Sequence, residues 1–469
     1  MRSRRIALGL LPALACFFLA ACGGTGPAKF GGGGGNLSVS VSATNTCKAA
    51  ASGSGGPYSH IYVAISDVQA SPNLNATPGD GSFVDVTPGL SSSPKVVDLL
   101  GTPNQCSVAT LASNLSLAAG SYQQFRVLLA PDGTTISGSP CGTFANCLFL
   151  SGDATPHDLQ IGTEATQGIA LGPNQIAGGQ FTPSGQAQIL NVAFNSCASV
   201  VALSNTQFRL KPVVSVGDAT GAPSVTGQLV DSATSQPVPS GQFLVALEAP
   251  DTRLVDRVFL DARTDSQGMF NLCPVMGGTY DVVASGLRTD TGTSYAATMT
   301  LGVTGGANLG AVPMVAANTV PATSASVLGS ANSSASGSQP VPVDVAVSVL
   351  DTSGIGSFLV TIPPLGGIAS TTNLETQPGA SCPAGTNCGQ FEVAVPPVSP
   401  VVGQFSASGT QYVQSAATPG VTIEGTSFAP LSGATPFCSP NFQFFSVPNP
   451  VAGGVTDITA NPLSFVGCQ

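Results

Sequence analysis

Nucleophilic catalysis needs a base beside a serine or cysteine, and the sequence offers only two histidines for that role. His60 adjoins an alternating apolar segment, and His157 lies in a polar loop segment that contains Pro156 and Asp158. The sequence contains no Gly-x-Ser-x-Gly nucleophile motif. We therefore expect structural roles for both histidines, assign no catalytic residue, and interpret the protein as a non-enzyme.

The densest acidic stretch, residues 251–265, mixes both signs of charge. It contains Asp251, Arg253, Asp256, Arg257, Asp261, Arg263 and Asp265. Interleaved charges on neighbouring strands are typical of a solvated strand pair with ion pairs across it. Two carboxylates can also act as acid and base in hydrolysis. A carboxylate-dependent hydrolase, with its pair contributed by the C-terminal region, therefore stays open as an alternative.

Metal, cofactor and nucleic-acid sites are disfavoured by composition. The sequence has no Cys-x2-Cys pair, no EF-hand loop and no phosphate-binding glycine loop, so we predict neither a metal nor a cofactor. The net charge is −10, with 13 Lys and Arg against 23 Asp and Glu. Three of the 13 lie in the first five residues, and no basic cluster follows them. Nucleic-acid binding needs a basic face, so that class of partner is excluded.

Of the twelve cysteines, ten follow Cys22, and this even number indicates an oxidising compartment. Two pairs share one short spacing and predict hairpin loops closed by their own disulfides: Cys141 with Cys147, and Cys382 with Cys388. Cys438 with Cys468 is a third candidate pair. The sequence does not determine the connectivity of the remaining four, Cys47, Cys106, Cys197 and Cys273.

The N-terminus has the features of an export signal. A basic start at Arg2, Arg4 and Arg5 precedes an apolar run that ends in Leu-Ala-Ala before Cys22. This ending resembles the bacterial lipobox. The resemblance implies cleavage of residues 1–21 and attachment of acyl chains, palmitate among them, at Cys22, where two or more chains anchor a protein stably. By the same pattern Gly23 implies the outer membrane. Residues 22–35, with five consecutive glycines, are typical of a flexible tether.

The remaining composition favours β-structure. Charged residues make up 8% of the chain against about 25% in an average domain. There are 57 glycines and 37 prolines, and few Glu or Lys to support exposed helices. Short alternating segments follow one another from residue 36 onward, as in antiparallel sandwiches. Residues 111–117 predict a short helix or turn.

Three segments follow one another in the first part of the chain: Val-Asp-Leu-Leu at 97–100, Gly-x-Tyr-x-x-x-Arg at 120–126 and Leu-Lys-Pro at 210–212. In this order they resemble the domain of unknown function 4382 family, found in bacterial lipoproteins and surface proteins, and the resemblance covers residues 36–217. The family has no established activity, so the match implies an architecture and a cell-surface setting. On the predicted strand, Arg126 shares a face with Tyr122. Two interpretations of Arg126 stay open: it forms structural hydrogen bonds, or it anchors a ligand on the sheet.

Three further segments come later in the chain: Val-x-Gly-x-Leu-Val-Asp at 225–231, Thr-Asp-x-x-Gly-x-Phe at 264–270 and Gly-x-Tyr-x-Val at 278–282. Their order resembles the carboxypeptidase regulatory-like domain, a transthyretin-like sandwich, over residues 222–315, and no peptidase residues are present. Gly268 is expected to permit a tight turn before Phe270 enters the core.

The rest of the chain is assigned by composition alone. Residues 316–339 are rich in Ser, Ala and Thr and predict a linker, and residues 340–469 predict a third β-domain of unassigned family. The fold class is therefore all-β, with tandem antiparallel β-sandwiches after a cleaved lipoprotein signal and a Gly-rich tether.

These predictions together describe a lipid-anchored cell-surface protein with a binding or display role. The expected partners are the membrane, through Cys22, and a glycan or envelope protein. A structural spacer without a specific ligand is the main alternative. Because the chain has few ionisable groups, we also expect its stability to depend only weakly on pH.

Overall fold

The computed structural model describes residues 36–468 apart from 49–56, 102–105, 163–166, 205, 222, 239–242, 252, 289–292, 318–324, 353–355, 361–370, 417–418 and 429–437. The predicted signal, the tether and Cys22 lie outside the described residues. All the secondary-structure elements with bounds in the described part of the chain are β-strands. They form three consecutive pairs of sheets, each pair enclosing its own apolar core, so the predicted all-β class is confirmed.

The first unit contains the strands up to residue 218. They are β1 (Asn36–Ala43), β2 (Tyr58–Ser71), β3 (Val84–Asp85), β4 (Lys95–Asp98), β5 (Ala109–Ser116), β6 (Gln124–Leu129), β7 (Cys147–Leu150), β8 (His157–Ile161), β9 (Ile169–Leu171), β10 (Gln188–Phe194), β11 (Val200–Ala202), β12 (Phe208–Leu210) and β13 (Val214–Asp218). One sheet has the order β13-β10-β1-β5. The other has the order β11-β12-β8-β7-β2-β6-β9, with β3 and β4 also paired to β2.

The core of the first unit follows from alternation along its strands. Leu37, Val39 and Val41 of β1 are buried, and so are Ile61 and Val63 of β2 in the facing sheet. Successive side chains of a strand point to opposite faces, so each strand gives one apolar face to the core. Full burial of one such side chain contributes about 1.5–3 kcal/mol.

The second unit contains two smaller sheets. Its strands are β14 (Val225–Asp231), β15 (Phe243–Pro250), β16 (Asp256–Arg263), β17 (Met269–Leu272), β18 (Thr279–Arg288), β19 (Thr293–Ser294), β20 (Thr298–Thr304) and β21 (Asn308–Met314). Gly268 precedes β17 with φ +68°, and a Cβ there would lie 2.6 Å from the carbonyl oxygen of Leu229. Phe270 is 3% exposed, as the predicted glycine turn requires.

The third unit contains the remaining strands. They are β22 (Ala325–Ala335), β23 (Gln339–Pro340), β24 (Asp344–Thr352), β25 (Ser357–Leu359), β26 (Thr371–Glu375), β27 (Asn387–Val395), β28 (Val401–Gln404), β29 (Gln411–Gln414), β30 (Gly420–Phe428), β31 (Phe442–Pro448), β32 (Val455–Asp457) and β33 (Leu463–Cys468). Its two sheets are built around β22 and around β24 with β30.

Residues 316–339 are not simply a linker, because β22 occupies residues 325–335 at the centre of a sheet. The Ala- and Ser-rich composition reflects close packing. A Cβ on Gly329 would lie 2.3 Å from the ring of Phe391 on the paired strand β27. Small residues here make room for that ring. Residues 111–117, expected as a helix or turn, also fall largely in a strand, β5.

The sheets are mixed rather than purely antiparallel. Parallel pairs include β1 with β10, β14 with β21, and β22 with β33. Strands distant in sequence thus lie side by side, which alternation within a strand cannot reveal.

The boundary predicted at residue 340 does not separate the sheets. β28 pairs in parallel with β20 and adds β29 to the sheet of the second unit. Val283 and Met299 of the second unit also belong to the core of the third. The second and third units are therefore joined by shared sheet and shared core.

Buried polar contacts also connect the units. The Cys106–Cys273 disulfide joins the first unit to the second. Arg209 of β12 donates to both carboxylate oxygens of Asp344 of β24 at 2.6 and 2.7 Å, which ties the first unit to the third. Such contacts depend on a fixed relative placement of the three units.

Candidate functional site

The strand β2 positions two ring side chains on the face of its sheet that points away from the core. Ile61 and Val63 face inward and are fully buried, so His60 and Tyr62 face outward. On the neighbouring strands, Asp98 of β4 lies opposite Tyr62, and Phe149 of β7 lies opposite His60. Directly opposite residues share a face, so the register brings these four side chains together. We call His60, Tyr62, Asp98 and Phe149 the aromatic platform.

The three rings of the aromatic platform contact one another. His60 and Tyr62 are stacked, with ring centroids 5.4 Å apart and an interplanar angle of 15°. Phe149 stands nearly perpendicular to both, 5.9 Å from His60 and 6.0 Å from Tyr62. These are favourable edge-to-face distances, so each ring fixes the orientation of the others.

A carboxylate orients the imidazole of the platform. His60 Nδ1 lies 2.8 Å from Asp98 Oδ2 and 3.3 Å from the Tyr62 hydroxyl. The short contact to a carboxylate assigns the Nδ1 proton to the bond with Asp98. The other oxygen of Asp98 accepts from the backbone N–H groups of Leu100 and Ile61 at 3.0 and 3.4 Å. The His60 side chain nevertheless stays 42% exposed and accessible to a ligand.

The Tyr62 hydroxyl remains protonated at neutral pH. Partial burial raises the pKa of Tyr62, and the negative charge of Asp98 raises it further. The platform therefore offers ring surfaces together with a carboxylate, a phenol and an imidazole. In the part of the chain that the structure describes, His60 is hydrogen-bonded to Asp98 and Tyr62 and to no serine or cysteine.

A groove of about 430 Å³ continues the same face of the sheet. Val96 lines it, and Val96 is two residues before Asp98 on β4, so both side chains lie on one face. Apolar walls come from Leu90, Leu111 and Ile136. A flat aromatic surface beside a concave groove can hold an extended ligand.

Arg126, the predicted ligand anchor, is buried, with 4% exposure. Its Nη2 donates to the carbonyl oxygen of Ala76 at 3.0 Å, and its guanidinium lies 4.6 Å from the ring centroid of Phe83. Gly168, with φ +106°, packs against the Arg126 side chain. Burial lowers the pKa of Arg126, while Asp80 opposes that shift. These contacts hold the surrounding loops against the sheet. They agree with the interpretation of Arg126 as a structural hydrogen-bonding residue.

Tyr122 is also buried, with 2% exposure, and its hydroxyl donates to the carbonyl oxygen of Ala118 at 3.2 Å. The structure keeps both weak ligand candidates inside the first unit, apart from the exposed platform. Neither presents an accessible surface to a ligand.

The disulfides include the two pairs that spacing predicted, Cys141–Cys147 and Cys382–Cys388, and the third candidate pair, Cys438–Cys468. The four cysteines left open pair as Cys47–Cys197 and Cys106–Cys273. Five disulfides are typical of an exported protein. Cys22, the predicted lipidation site, lies outside the described residues.

The acidic stretch at 251–265 is not a solvated strand pair. Asp256 and Asp261 are buried, with 6% and 7% exposure. Arg257 instead reaches the third unit, where it donates to both carboxylate oxygens of Glu424 at 2.5 and 2.8 Å. The alternation of charges along residues 251–265 does not reveal a partner from another unit, so the sequence alone predicts surface groups.

A cluster of buried carboxyls lies next to that ion pair. Burial, and then the charge of Asp281, raises the pKa of Asp256 to about 7, and the two side chains share a hydrogen bond. Burial followed by the charge of Asp256 raises the pKa of Glu248 well above its usual range. Glu248 also accepts from the backbone N–H of Leu359 in the third unit at 2.9 Å. Of these carboxyls, Glu248 thus contacts the third unit directly.

The carboxylates of the C-terminal region also have structural partners. Asp344 and Glu375 pair with Arg209, and Glu424 pairs with Arg253 and Arg257. This arrangement does not favour the hydrolase alternative, which needs an acid–base pair open to substrate.

Neither a metal centre nor a membrane-spanning helix occurs within the described ranges. No group of three or more His, Cys, Asp and Glu side chains there could hold a metal ion. The same residues include no helix with the length and apolar character that a bilayer crossing requires.

Residues 47–212 match the family described as Domain of unknown function (DUF4382). This confirms the resemblance predicted for the first region, and the matched segment contains the whole aromatic platform. The lipoprotein and carboxypeptidase regulatory-like resemblances stay predictions. No curated protein matches the chain.

Solved structures give faint likenesses. The Bacillus anthracis TIE protein is 9% identical, with 91% of this chain and 50% of its own chain covered and a TM-score of 0.17. The shaft pilin SpaA of Lactobacillus rhamnosus GG is 11% identical, with 61% and 100% covered and a TM-score of 0.17. A DUF3823 family protein from Bacteroides uniformis ATCC 8492 is 12% identical, with 48% and 98% covered and a TM-score of 0.16. The chain thus spans half the length of the Bacillus anthracis protein, and at these TM-scores the likenesses carry no argument.

The aromatic platform was not predicted from the sequence. The alternation His60-Ile61-Tyr62 was a usable signal, because it places two rings on the outer face of a strand. Asp98 and Phe149 lie 36 and 87 positions beyond Tyr62, so only the strand register shows that they complete the platform.

Proposed function

We propose that this protein is a non-enzymatic surface protein, anchored to the outer membrane by lipid on Cys22, that binds a glycan on the aromatic platform. The observation that carries the binding role is the stack of His60 and Tyr62 beside Phe149 on the outer face of the sheet, where all three rings are partly exposed.

The chemistry of the platform favours a sugar ligand. The C–H faces of a sugar ring pack against aromatic rings, while its hydroxyls need hydrogen-bond partners. Asp98, His60 and the Tyr62 hydroxyl supply such partners at the rim of the rings. The adjoining groove of about 430 Å³ can accept further sugar units of a chain.

The binding test uses the full mature chain on an immobilised glycan panel, followed by calorimetric titration with the best glycan. Tyr62→Ala and Phe149→Ala are expected to weaken binding about tenfold or more, since about 1.4 kcal/mol corresponds to a factor of ten. Phe444→Ala is the matched control, because Phe444 is an exposed aromatic residue, 45% exposed, on the third unit.

The outcomes separate the candidate functions. Equal losses for the platform variants and the control would place binding elsewhere. Absence of any glycan ligand, with the chain folded, would favour the spacer or a protein partner in the envelope.

The anchor is tested separately by Cys22→Ala. We expect the wild-type chain to sediment with membranes and the variant to be released, because acyl chains on that sulfur carry the attachment. Mass spectrometry of the mature N-terminus provides the second readout. An unmodified Cys22 on a chain that retains residues 1–21 would refute lipid anchoring.

A further inference from the structure

The polar atoms that the aromatic platform presents are mainly hydrogen-bond acceptors. In the described residues the hydrogen bonds of the His60 ring all use Nδ1, which lies 2.8 Å from Asp98 Oδ2. With the ring proton on Nδ1, the Nε2 atom of a neutral imidazole accepts and does not donate. A carboxylate also accepts only, so the Tyr62 hydroxyl is the one side-chain group of the platform that can donate to a ligand. A ligand that itself donates several hydrogen bonds therefore suits this surface.

Asp98 has no basic side chain as its counter-charge. Its side chain is 23% exposed, and its ion-pair contact in the part of the chain that the structure describes is with His60. Lys48 approaches the end of β4, but its ammonium donates to the carbonyl oxygens of Leu100 and Gly101 at 2.9 and 2.5 Å. The partly exposed carboxylate can therefore pair with a cation that a ligand supplies.

A second carboxylate lies further along the same face of the sheet. Cys147 of β7 lies opposite Tyr62, and Asp158 of β8 lies opposite Cys147. Directly opposite residues share a face, so Asp158 lies on the face of the platform, about 10 Å from Tyr62 across two strand spacings. Burial, and then the negative charge of Asp98, raises the pKa of Tyr62, so the charge of Asp98 acts on the rings themselves. The platform thus lies in a negative field, which attracts cations.

The aromatic rings favour a cation for a separate reason. The face of an aromatic ring carries partial negative charge, and it attracts an ammonium group within about 6 Å of the ring centroid. The rings of Tyr62 and Phe149 meet at 81°, so they present faces in two directions, and one accessible face is enough for one ammonium. Ring charge and carboxylate charge therefore favour the same kind of ligand group.

From these observations we propose that the aromatic platform binds glycans that carry positively charged amino groups in preference to neutral or acidic glycans. The inference rests on the proposed glycan-binding function and adds its specificity. The sugar ring packs on the aromatic rings, while its ammonium lies near Asp98. An ammonium has three N–H donors and no acceptor, which complements the acceptors of Asp98 and of His60 Nε2.

The test titrates the full mature chain with three tetramers of one backbone. They are cellotetraose, its 6-amino-6-deoxy derivative and its derivative oxidised to carboxylates at C6, so the 6-position is neutral, cationic or anionic. At neutral pH we expect the cationic tetramer to bind about tenfold more tightly than the neutral one, as a cation over partly exposed rings beside a carboxylate allows. The anionic tetramer should bind most weakly.

Two substitutions of aspartate test the origin of the preference. Asp98→Asn keeps an oxygen for the backbone N–H groups of Leu100 and Ile61 but removes the charge, so it should reduce the preference to about twofold. Asp158→Asn leaves the hydrogen bonds of the platform intact and should reduce the preference by less, because Asp158 lies farther away. It keeps the test decisive if Asp98→Asn does not fold. Asp457→Asn, at an exposed position of β32 in the third unit, is the matched control and should keep the full preference.

The outcomes separate this inference from the proposed function. A neutral or anionic tetramer that binds as tightly as the cationic one would overturn the specificity and leave glycan binding in place. A preference that Asp98→Asn and Asp158→Asn leave intact, or that Asp457→Asn reduces equally, would also overturn it, because the cation would then bind elsewhere on an acidic protein. Failure of every glycan, both in this series and on the immobilised panel, would refute the proposed function as well.

Discussion

The contact between the second and third units should depend strongly on Arg257. Glu424 is 1% exposed and accepts two of the three hydrogen bonds of the Arg257 guanidinium, while Asp251 accepts the third at 3.1 Å. Arg257→Met would leave this carboxylate buried, with Arg253 2.9 Å away as its remaining arginine partner. Removing one partner of a buried ion pair costs about 3–5 kcal/mol. We expect the lower end, about 3 kcal/mol, because Arg253 stays and Arg257 itself is 28% exposed.

Thermal unfolding monitored by circular dichroism measures the loss. At about 2–4 °C per kcal/mol, Arg257→Met should lower the first unfolding transition by about 6–12 °C. Asp153→Asn is the matched control, because Asp153 forms a more exposed pair with His157 and such pairs contribute about 0–1 kcal/mol. Its transition should shift little.

The reciprocal substitution tests the physical reason. Glu424→Gln leaves two arginines that are each more than a quarter exposed and can be hydrated, so it should cost less than Arg257→Met. The double variant should regain much of the Arg257→Met loss, because no uncompensated buried carboxylate remains. A double variant whose loss equals the sum of the two single losses, or an Arg257→Met loss no larger than the control, would refute the reasoning.

Two further predictions concern pH and packing. The pKa values of Asp256 and Asp261 are raised by burial from 3.8 to about 7, so between about pH 4 and pH 7 the folded chain keeps protons that the unfolded chain releases. The contribution of these two groups to the free energy of unfolding is therefore largest below about pH 4 and is lost as pH rises through 7. Asp261→Asn should make the fall in melting temperature smaller. A melting temperature that rises between pH 5 and pH 8 would contradict this prediction. Gly329→Ala should destabilise by about 1–3 kcal/mol, because its Cβ would overlap the Phe391 ring, and Gly81→Ala, where a Cβ meets nothing within 4 Å, should cost much less in the same melting experiment.

The pH prediction revises the sequence-based expectation of weak pH dependence. That expectation counted ionisable groups without their environment. The chain has few charges, but several of its carboxyls are buried among the units, where desolvation changes their pKa values most.

Local patterns determined the strands and much of the covalent framework. Alternation along β1 and β2 predicted which side chains enter the core, because side-chain direction has period two in any strand. The six-residue spacing of Cys141 and Cys147 fixed that pair, since residues so close in sequence can meet within one loop. Gly268 marked its turn because a positive φ is favourable mainly for glycine.

Only the tertiary structure decided which distant segments meet. The aromatic platform depends on the register that sets Tyr62 beside Asp98 and His60 beside Phe149. The role of Arg257 depends on Glu424, 167 positions later in the chain. Alternation fixes which face of a strand a side chain occupies, but it carries no information about the neighbouring strand. The sequence alone therefore determined the class of fold and its short-range links, while packing between strands and units decided the aromatic platform and the buried charges.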